Sequence, residues 1–62
     1  MILEELYDAK IYYKKNWVIL WDNETGRVFQ RNTWTSEEKD LGIAKNREKA
    51  QEIRNTYLQI IS

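Results

Sequence analysis

Cysteine, histidine and proline are absent from this chain of 62 residues, and glycine occurs only at Gly26 and Gly42. Without cysteine the chain can form no disulfide, and a zinc site would need carboxylates alone, an unusual ligand set for that metal. General acid–base and nucleophilic catalysis rely on histidine, cysteine or an activated serine, and two distant glycines cannot build a phosphate-binding loop. We therefore predict a protein that is not an enzyme, with no catalytic residue, no cofactor and no metal.

The chain also lacks an excess of charge and a long apolar run. Ten acidic and ten basic side chains cancel, so there is no long-range field to concentrate the protein on nucleic acid or on anionic lipid. Glu4 and Glu5 stand where a secretory signal needs a basic start, and no apolar stretch approaches the roughly 20 residues that span a bilayer. These features predict a soluble, cytoplasmic protein with no membrane partner.

The short chain predicts one small domain over residues 1–62, because no linker divides it and no internal repeat is evident. A domain of this size buries only about 60% of the surface that its unfolded chain exposes. Three Trp, four Tyr and one Phe leave dense aromatic packing and self-association as the remaining means of stabilisation. A homodimer is therefore one of the partner alternatives.

A hairpin is predicted in the middle of the chain. Residues 17–21 are β-branched, aliphatic or aromatic throughout, and residues 27–31 alternate apolar with polar, as strands do. Between them, residues 22–26 suit a type I turn whose left-handed last residue, Gly26, makes a bulge. With Asn23 paired to Arg27, the predicted opposite pairs are Trp21 with Phe29, Ile19 with Arg31, and Trp17 with Thr33.

A third strand and a C-terminal helix are predicted to follow. Residues 40–44 favour a strand in which Leu41 and Ile43 share one face, while the small Gly42 lets a helix approach closely. Residues 46–61 carry apolar side chains at helical spacing, and Asn46 is a good N-cap. The predicted fold class is α+β, with a small three-stranded antiparallel sheet packed on a C-terminal amphipathic helix.

The N-terminal segment fits two structures. Ile2, Leu3, Leu6 and Ala9 recur at helical spacing, which favours a short N-terminal helix that gives way to extended chain near Tyr12. The run from Ile11 to Tyr13 favours a strand instead. We predict the short helix and keep the strand as the alternative.

Aromatic side chains interleaved with basic ones indicate a binding surface on or near the sheet. Trp21 and Phe29 are predicted to be core, whereas Trp34 follows its strand beside a polar loop and is the better candidate for an exposed anchor. Clustered acids at Glu37, Glu38 and Asp40 are interpreted as a solvated face. The predicted partner-binding residues are Trp34, Trp17, Arg27, Arg31, Lys14 and Lys15.

The order of four short motifs resembles the AP2-like DNA-binding fold, including the arm-binding domains of tyrosine integrases. These motifs are residues 17–21, then Gly26 with Arg27, then residues 41–44, then Glu48 with Ala50. The resemblance implies a three-stranded sheet on one C-terminal helix that reads DNA with its sheet face, through Arg27, Arg31 and Trp17. The chain departs from that family in its neutral charge and in a longer stretch between Arg31 and Leu41.

Two functions from different classes follow, and the first is preferred. The chain is predicted to be a small interaction module that binds a protein through an aromatic-rich sheet surface, such as an adaptor, inhibitor or regulatory protein of the kind that viruses and mobile elements encode. The alternative is a nucleic-acid-binding domain that reads DNA with the sheet face. A continuous strip of Lys14, Lys15, Arg27 and Arg31 with few acids nearby would favour that alternative.

Overall fold

The fold is a four-stranded antiparallel sheet with a helix packed on one face. A computed structural model describes residues 3–9, 11 and 14–61. Within them the elements are β1 (Leu3–Asp8), β2 (Trp17–Asp22), β3 (Arg27–Asn32), β4 (Glu38–Ile43) and α1 (Arg47–Ile61). The strands lie in the order β1-β2-β3-β4. The α+β class is as predicted, but the predicted three-stranded sheet is wrong because the N-terminal segment adds a fourth strand.

β1 replaces the predicted N-terminal helix, which is wrong over Leu3–Asp8. Glu5 lies opposite Leu20 and Tyr7 lies opposite Ile19, so Leu6 is an extra residue in a β-bulge. The bulge interrupts the two-residue alternation of a strand, and the apolar residues on either side of it therefore fall at a spacing that also fits a helix. The predicted extended chain near Tyr12 lies outside the described residues.

The β2–β3 hairpin is confirmed, but its predicted register is wrong by one residue. Trp21 lies opposite Val28 and Leu20 lies opposite Phe29. The loop begins one residue earlier than predicted, because the Asp22 carbonyl accepts the Gly26 N–H at 2.8 Å. The predicted left-handed Gly26 is confirmed, with φ at 83°. Since a shift by one residue changes which side chains share a face, Trp21 and Phe29 lie on opposite faces of the sheet.

Each face of the sheet buries its own apolar side chains. On the face covered by α1, a core cluster contains Ile19, Trp21, Val28, Ala44 and Ala50. The Trp21 indole N–H donates to the Ala44 carbonyl at 3.3 Å, which satisfies the polar atom of a buried ring. On the opposite face Leu20 and Phe29 are buried. The prediction that Trp21 and Phe29 are core residues is confirmed, each on its own face.

α1 begins and packs as the sequence predicted. The Asn46 side chain accepts the Lys49 N–H at 2.9 Å, which is the geometry of an N-cap. A Cβ at Gly42 would stand 3.2 Å from the Ile53 side chain, so the small residue does let the helix approach. Further along α1, the Tyr57 hydroxyl and the Gln30 side chain are hydrogen-bonded, which ties the helix to β3.

β4 carries a second bulge, which corrects another prediction. Val28 lies opposite Gly42 and Phe29 lies opposite Asp40, so Leu41 is the extra residue. Leu41 packs against the core cluster, whereas Ile43 lies on the face opposite α1 and is 71% exposed. The prediction that these two residues share one face is wrong, because the bulge shifts the alternation between them.

Candidate interaction surfaces

Arg27 and Arg31 project from β3 on the face opposite α1, where β4 places two acids beside them. Arg27 Nη1 lies 2.9 Å from Glu38 Oε1, and Arg31 Nη2 lies 2.7 Å from Glu38 Oε2. Arg27 also donates through Nε to Asp40. We call these four residues the arginine–acid ladder. The register of β3 with β4 builds it, since Arg31 lies directly opposite Glu38.

The ladder shifts the titration of Glu38 and Arg27 towards their charged forms. Hydrogen bonds from Arg31, and then from Arg27, hold the pKa of the Glu38 carboxyl below its usual value. The Arg27 guanidinium has a raised pKa, chiefly through its hydrogen bond to Asp40 and then through Glu38. Two of the four predicted basic residues are therefore neutralised by acids on the neighbouring strand.

The same two arginines also cover Phe29. The guanidinium carbon of Arg27 lies 4.4 Å from the ring centroid, and that of Arg31 lies 5.3 Å from it. Cations over an aromatic face are attracted to the ring, and their stems shield apolar surface from water. This contact explains how Phe29 can be buried on the sheet face that α1 does not cover.

Trp17 lies on the other face of the sheet from the ladder. Its ring stacks on Tyr7 with centroids 5.8 Å apart and meets Tyr57 of α1 edge-on at 6.4 Å. Trp17 is half-buried in this aromatic cluster. The predicted binding residues Trp17, Arg27 and Arg31 therefore do not share one surface.

Lys14, Lys15 and Trp34 lie towards the same end of the sheet. Both lysines are exposed in the segment that leads into β2. The Thr33 N–H donates to the Asn16 carbonyl at 2.8 Å, which joins that segment to the loop that carries Trp34. The structure thus brings three of the six predicted partner-binding residues to one end of the molecule.

The loop that carries Trp34 (residues 32–36, the Trp34 loop) has the same construction as the loop at residues 22–26 (the Gly26 loop). In the Trp34 loop, the Asn32 side chain accepts the Trp34 N–H at 2.8 Å and the Thr35 N–H at 3.0 Å. The backbone carbonyl of Asn32 accepts the Ser36 N–H at 2.8 Å, and Ser36 has a positive φ of 63°.

In the Gly26 loop, Asp22 takes the place of Asn32. Its side chain accepts the Glu24 N–H at 2.9 Å and the Thr25 N–H at 3.3 Å. Its carbonyl binds the Gly26 N–H, as the Asn32 carbonyl binds that of Ser36. Position by position, Glu24 therefore corresponds to Trp34. This repeat at the level of loops was not apparent from the sequence pattern.

Trp34 is the most exposed large apolar side chain among the described residues, at 80%. Its backbone is fixed by Asn32, yet the equivalent position of the Gly26 loop builds the same turn with glutamate. The turn requires only a backbone N–H at that position. The indole is therefore not needed to form the loop.

A groove between β4 and α1 was not predicted. It has a volume of about 540 Å³. We call it the edge groove, and it is lined by Leu41, Ile43, Lys49, Glu52, Ile53, Thr56, Tyr57 and Ile60. Ile43 and Ile60 are 71% and 74% exposed. The helical periodicity identified Ile53, Tyr57 and Ile60 as apolar. The β-bulge that directs Leu41 towards α1 was not visible in the sequence.

No protein-family model, curated protein or solved structure matches this chain. The resemblance to the AP2-like fold therefore stays a prediction. Within the part of the chain that the structure describes, no helix is long and apolar enough to cross a membrane. In those same residues no group of three or more carboxylates is arranged to hold a metal ion.

Proposed function

We propose that this chain is a small non-enzymatic interaction module that binds a protein partner, with Trp34 as its main anchor. Exposed tryptophan is a typical hot spot of protein interfaces, because a large rigid ring loses its hydration with little loss of conformational freedom. The Trp34 loop supports this role, since its side-chain hydrogen bonds hold the backbone in place before any partner arrives.

The observation that carries the proposal is the comparison of the two loops. The Gly26 loop forms the same turn with Glu24 where the other has Trp34. An exposed indole lowers the solubility of a protein. The loop would fold without this indole, and among the described residues no packing contact of Trp34 accounts for it. A binding role gives the side chain a physical purpose that the fold does not.

The arginine–acid ladder argues against the nucleic-acid alternative on the sheet face. A phosphate-binding surface needs cations that are free to exchange counterions for phosphate. Arg27 and Arg31 are instead held by Glu38 and Asp40. Phosphate binding would have to break these contacts and bring further negative charge beside two carboxylates.

Tryptophan fluorescence during titration with duplex and single-stranded oligonucleotides tests the choice between the two functions. We expect no saturable change at low or near-physiological salt. A saturable change that weakens steeply with salt would indicate phosphate contacts and would favour the DNA-binding function.

Capture of partners from an extract of the source cells tests the anchor. We expect immobilised wild-type protein to retain a nuclease-resistant protein partner that Trp34→Glu loses. Ile11→Glu is the matched control, because it adds the same charge at an isoleucine that is 72% exposed. Equal retention by the wild type and Trp34→Glu would contradict the role of Trp34, and retention that nuclease abolishes would contradict a protein partner.

A further inference from the structure

We infer that one protein partner of the Trp34 anchor is a second copy of this chain, whose edge groove receives the indole. This inference rests on the proposed role of Trp34 as an anchor. It identifies the occupant of the groove from two features that the chain itself supplies, an exposed aromatic side chain and an open apolar recess.

The edge groove has the size and the lining to take an aromatic ring. At about 540 Å³ it falls within the range of roughly 300–1,000 Å³ that is typical of ligand pockets. Leu41, Ile53 and Ile60 contribute apolar surface, and Tyr57 adds an aromatic wall. An indole placed there would cover Ile60, which is 74% exposed in the single chain.

The positions of indole and groove along β4 allow both copies to bind at once. Trp34 lies four residues before Glu38, where β4 begins, and Ile43 is the last residue of the strand. β4 is an edge strand, so the groove beside it opens at the border of the sheet. If two β4 edges face each other in opposite directions, each Trp34 is level with the groove of the other copy. Such a contact is self-complementary and closes as a twofold dimer.

Charges near the two features are complementary. Glu37 follows the Trp34 loop, and Lys49 stands at the rim of the groove, where its ammonium lies 3.4 Å from the Glu52 carboxylate of the same helix; all three residues are exposed. An exposed ion pair of this kind contributes little, so Lys49 can also attract a second acid. A twofold contact would bring Glu37 of each copy towards Lys49 of the other. The charged residues Lys39 and Asp40 and the bulge at Leu41 oppose continuous pairing of the two β4 strands. The contact therefore depends on side chains.

Sedimentation velocity over a wide concentration range tests the inference. We expect wild-type protein to shift from monomer to dimer, whereas Trp34→Glu and Ile60→Glu stay monomeric at every concentration. Ile11→Glu should dimerise like the wild type, because Ile11 belongs to neither the Trp34 loop nor the groove. Circular dichroism of each variant at a concentration where the wild type is monomeric checks that the fold is intact.

An equimolar mixture of Trp34→Glu and Ile60→Glu gives the decisive result. The first variant keeps an unmodified groove and the second keeps its indole, so the mixed dimer retains one of the two contacts. We expect dimer to appear in the mixture but in neither variant alone. A monomeric wild type, a dimeric Trp34→Glu or a mixture without dimer would each overturn the inference. The first of these results would leave the proposed function open, because capture of a different protein tests that separately.

Discussion

Gly26 and Ser36 occupy the same position of two loops with the same construction, both at positive φ. A side chain in the left-handed region costs about 1–2 kcal/mol, whereas glycine adopts it freely. A Cβ at Gly26 would also stand 2.8 Å from the Ala44 carbonyl oxygen. We therefore expect Gly26→Ala to lower the free energy of unfolding by about 2 kcal/mol or more.

Ser36→Gly should have the opposite effect. It relieves the left-handed strain, but the unfolded chain gains freedom, so the expected net increase in the free energy of unfolding is about 0.5 kcal/mol. Urea denaturation of the wild type and both variants measures the two changes. A change in the free energy of unfolding that has the same sign in both variants would contradict the equivalence of the two loops.

Glu38 makes the stability of the sheet depend on pH. Its pKa in the folded protein lies below its ordinary value, because Arg31 and Arg27 bond the carboxylate. The stabilisation is therefore complete above the ordinary pKa of glutamate and is lost as the pH falls through the lower folded value. We expect the wild type to melt above Glu38→Gln at neutral pH, with the difference disappearing in acid.

Thermal melting of both proteins across this acidic range measures the effect. Glu37→Gln is the control, because it removes the same charge next to the ladder but outside the contacts with Arg27 and Arg31. A difference between the wild type and Glu38→Gln that is the same at every pH would show that the ladder does not contribute.

At the level of elements, Asp22 and Asn32 each start a loop by accepting two backbone N–H groups. Both side chains present an oxygen in the same place, so we expect Asp22→Asn to leave stability nearly unchanged. Asp22→Ala removes the acceptor and should cost about 1 kcal/mol. Chemical denaturation measures the free energy of unfolding of both variants. A loss on Asp22→Asn as large as that on Asp22→Ala would mean that the carboxylate charge matters more than its hydrogen bonds.

The elements that the sequence predicted correctly are those with regular periodicity. Residues 46–61 keep an apolar stripe and a cap, and the hairpin has two strand-like segments around a glycine. The failures coincide with irregularities. Leu6 and Leu41 are the extra residues of two bulges, and neither has a residue type that marks a bulge. The register error arose because the Asp22 carbonyl accepts the Gly26 N–H, so that the loop begins one residue earlier than predicted.

The candidate surface was predicted only in part, because its grouping of residues depends on the register of the strands. Trp34 stands out in the sequence as an aromatic residue beside polar neighbours, and it is exposed as expected. The grouping of Trp17 with Arg27 and Arg31 followed from the wrong register, which changes the faces of a strand. The edge groove depends on how α1 lies along β4, a long-range arrangement that local patterns do not encode.

In the whole molecule, the buried apolar surface is divided between the two faces of the sheet. Each face therefore contributes only part of the hydrophobic stabilisation of the fold. The core cluster under α1 includes two alanines, and the face with Phe29 relies in part on arginine side chains for cover. A domain this short has little stability to spare. Burial of Trp34 and the edge groove against a second copy would add to the apolar surface that each chain removes from water.

Linkage between folding and association gives the last prediction. A dimer that forms only from folded chains raises the melting temperature as the protein concentration increases. We expect this rise for the wild type and for Ile11→Glu, and we expect Trp34→Glu to melt at one temperature at all concentrations. Trp34→Glu should match the melting temperature of dilute wild type, because the Gly26 loop forms the same turn with glutamate. A lower value would show that the indole stabilises the single chain, and a concentration-dependent value would show that association does not need it.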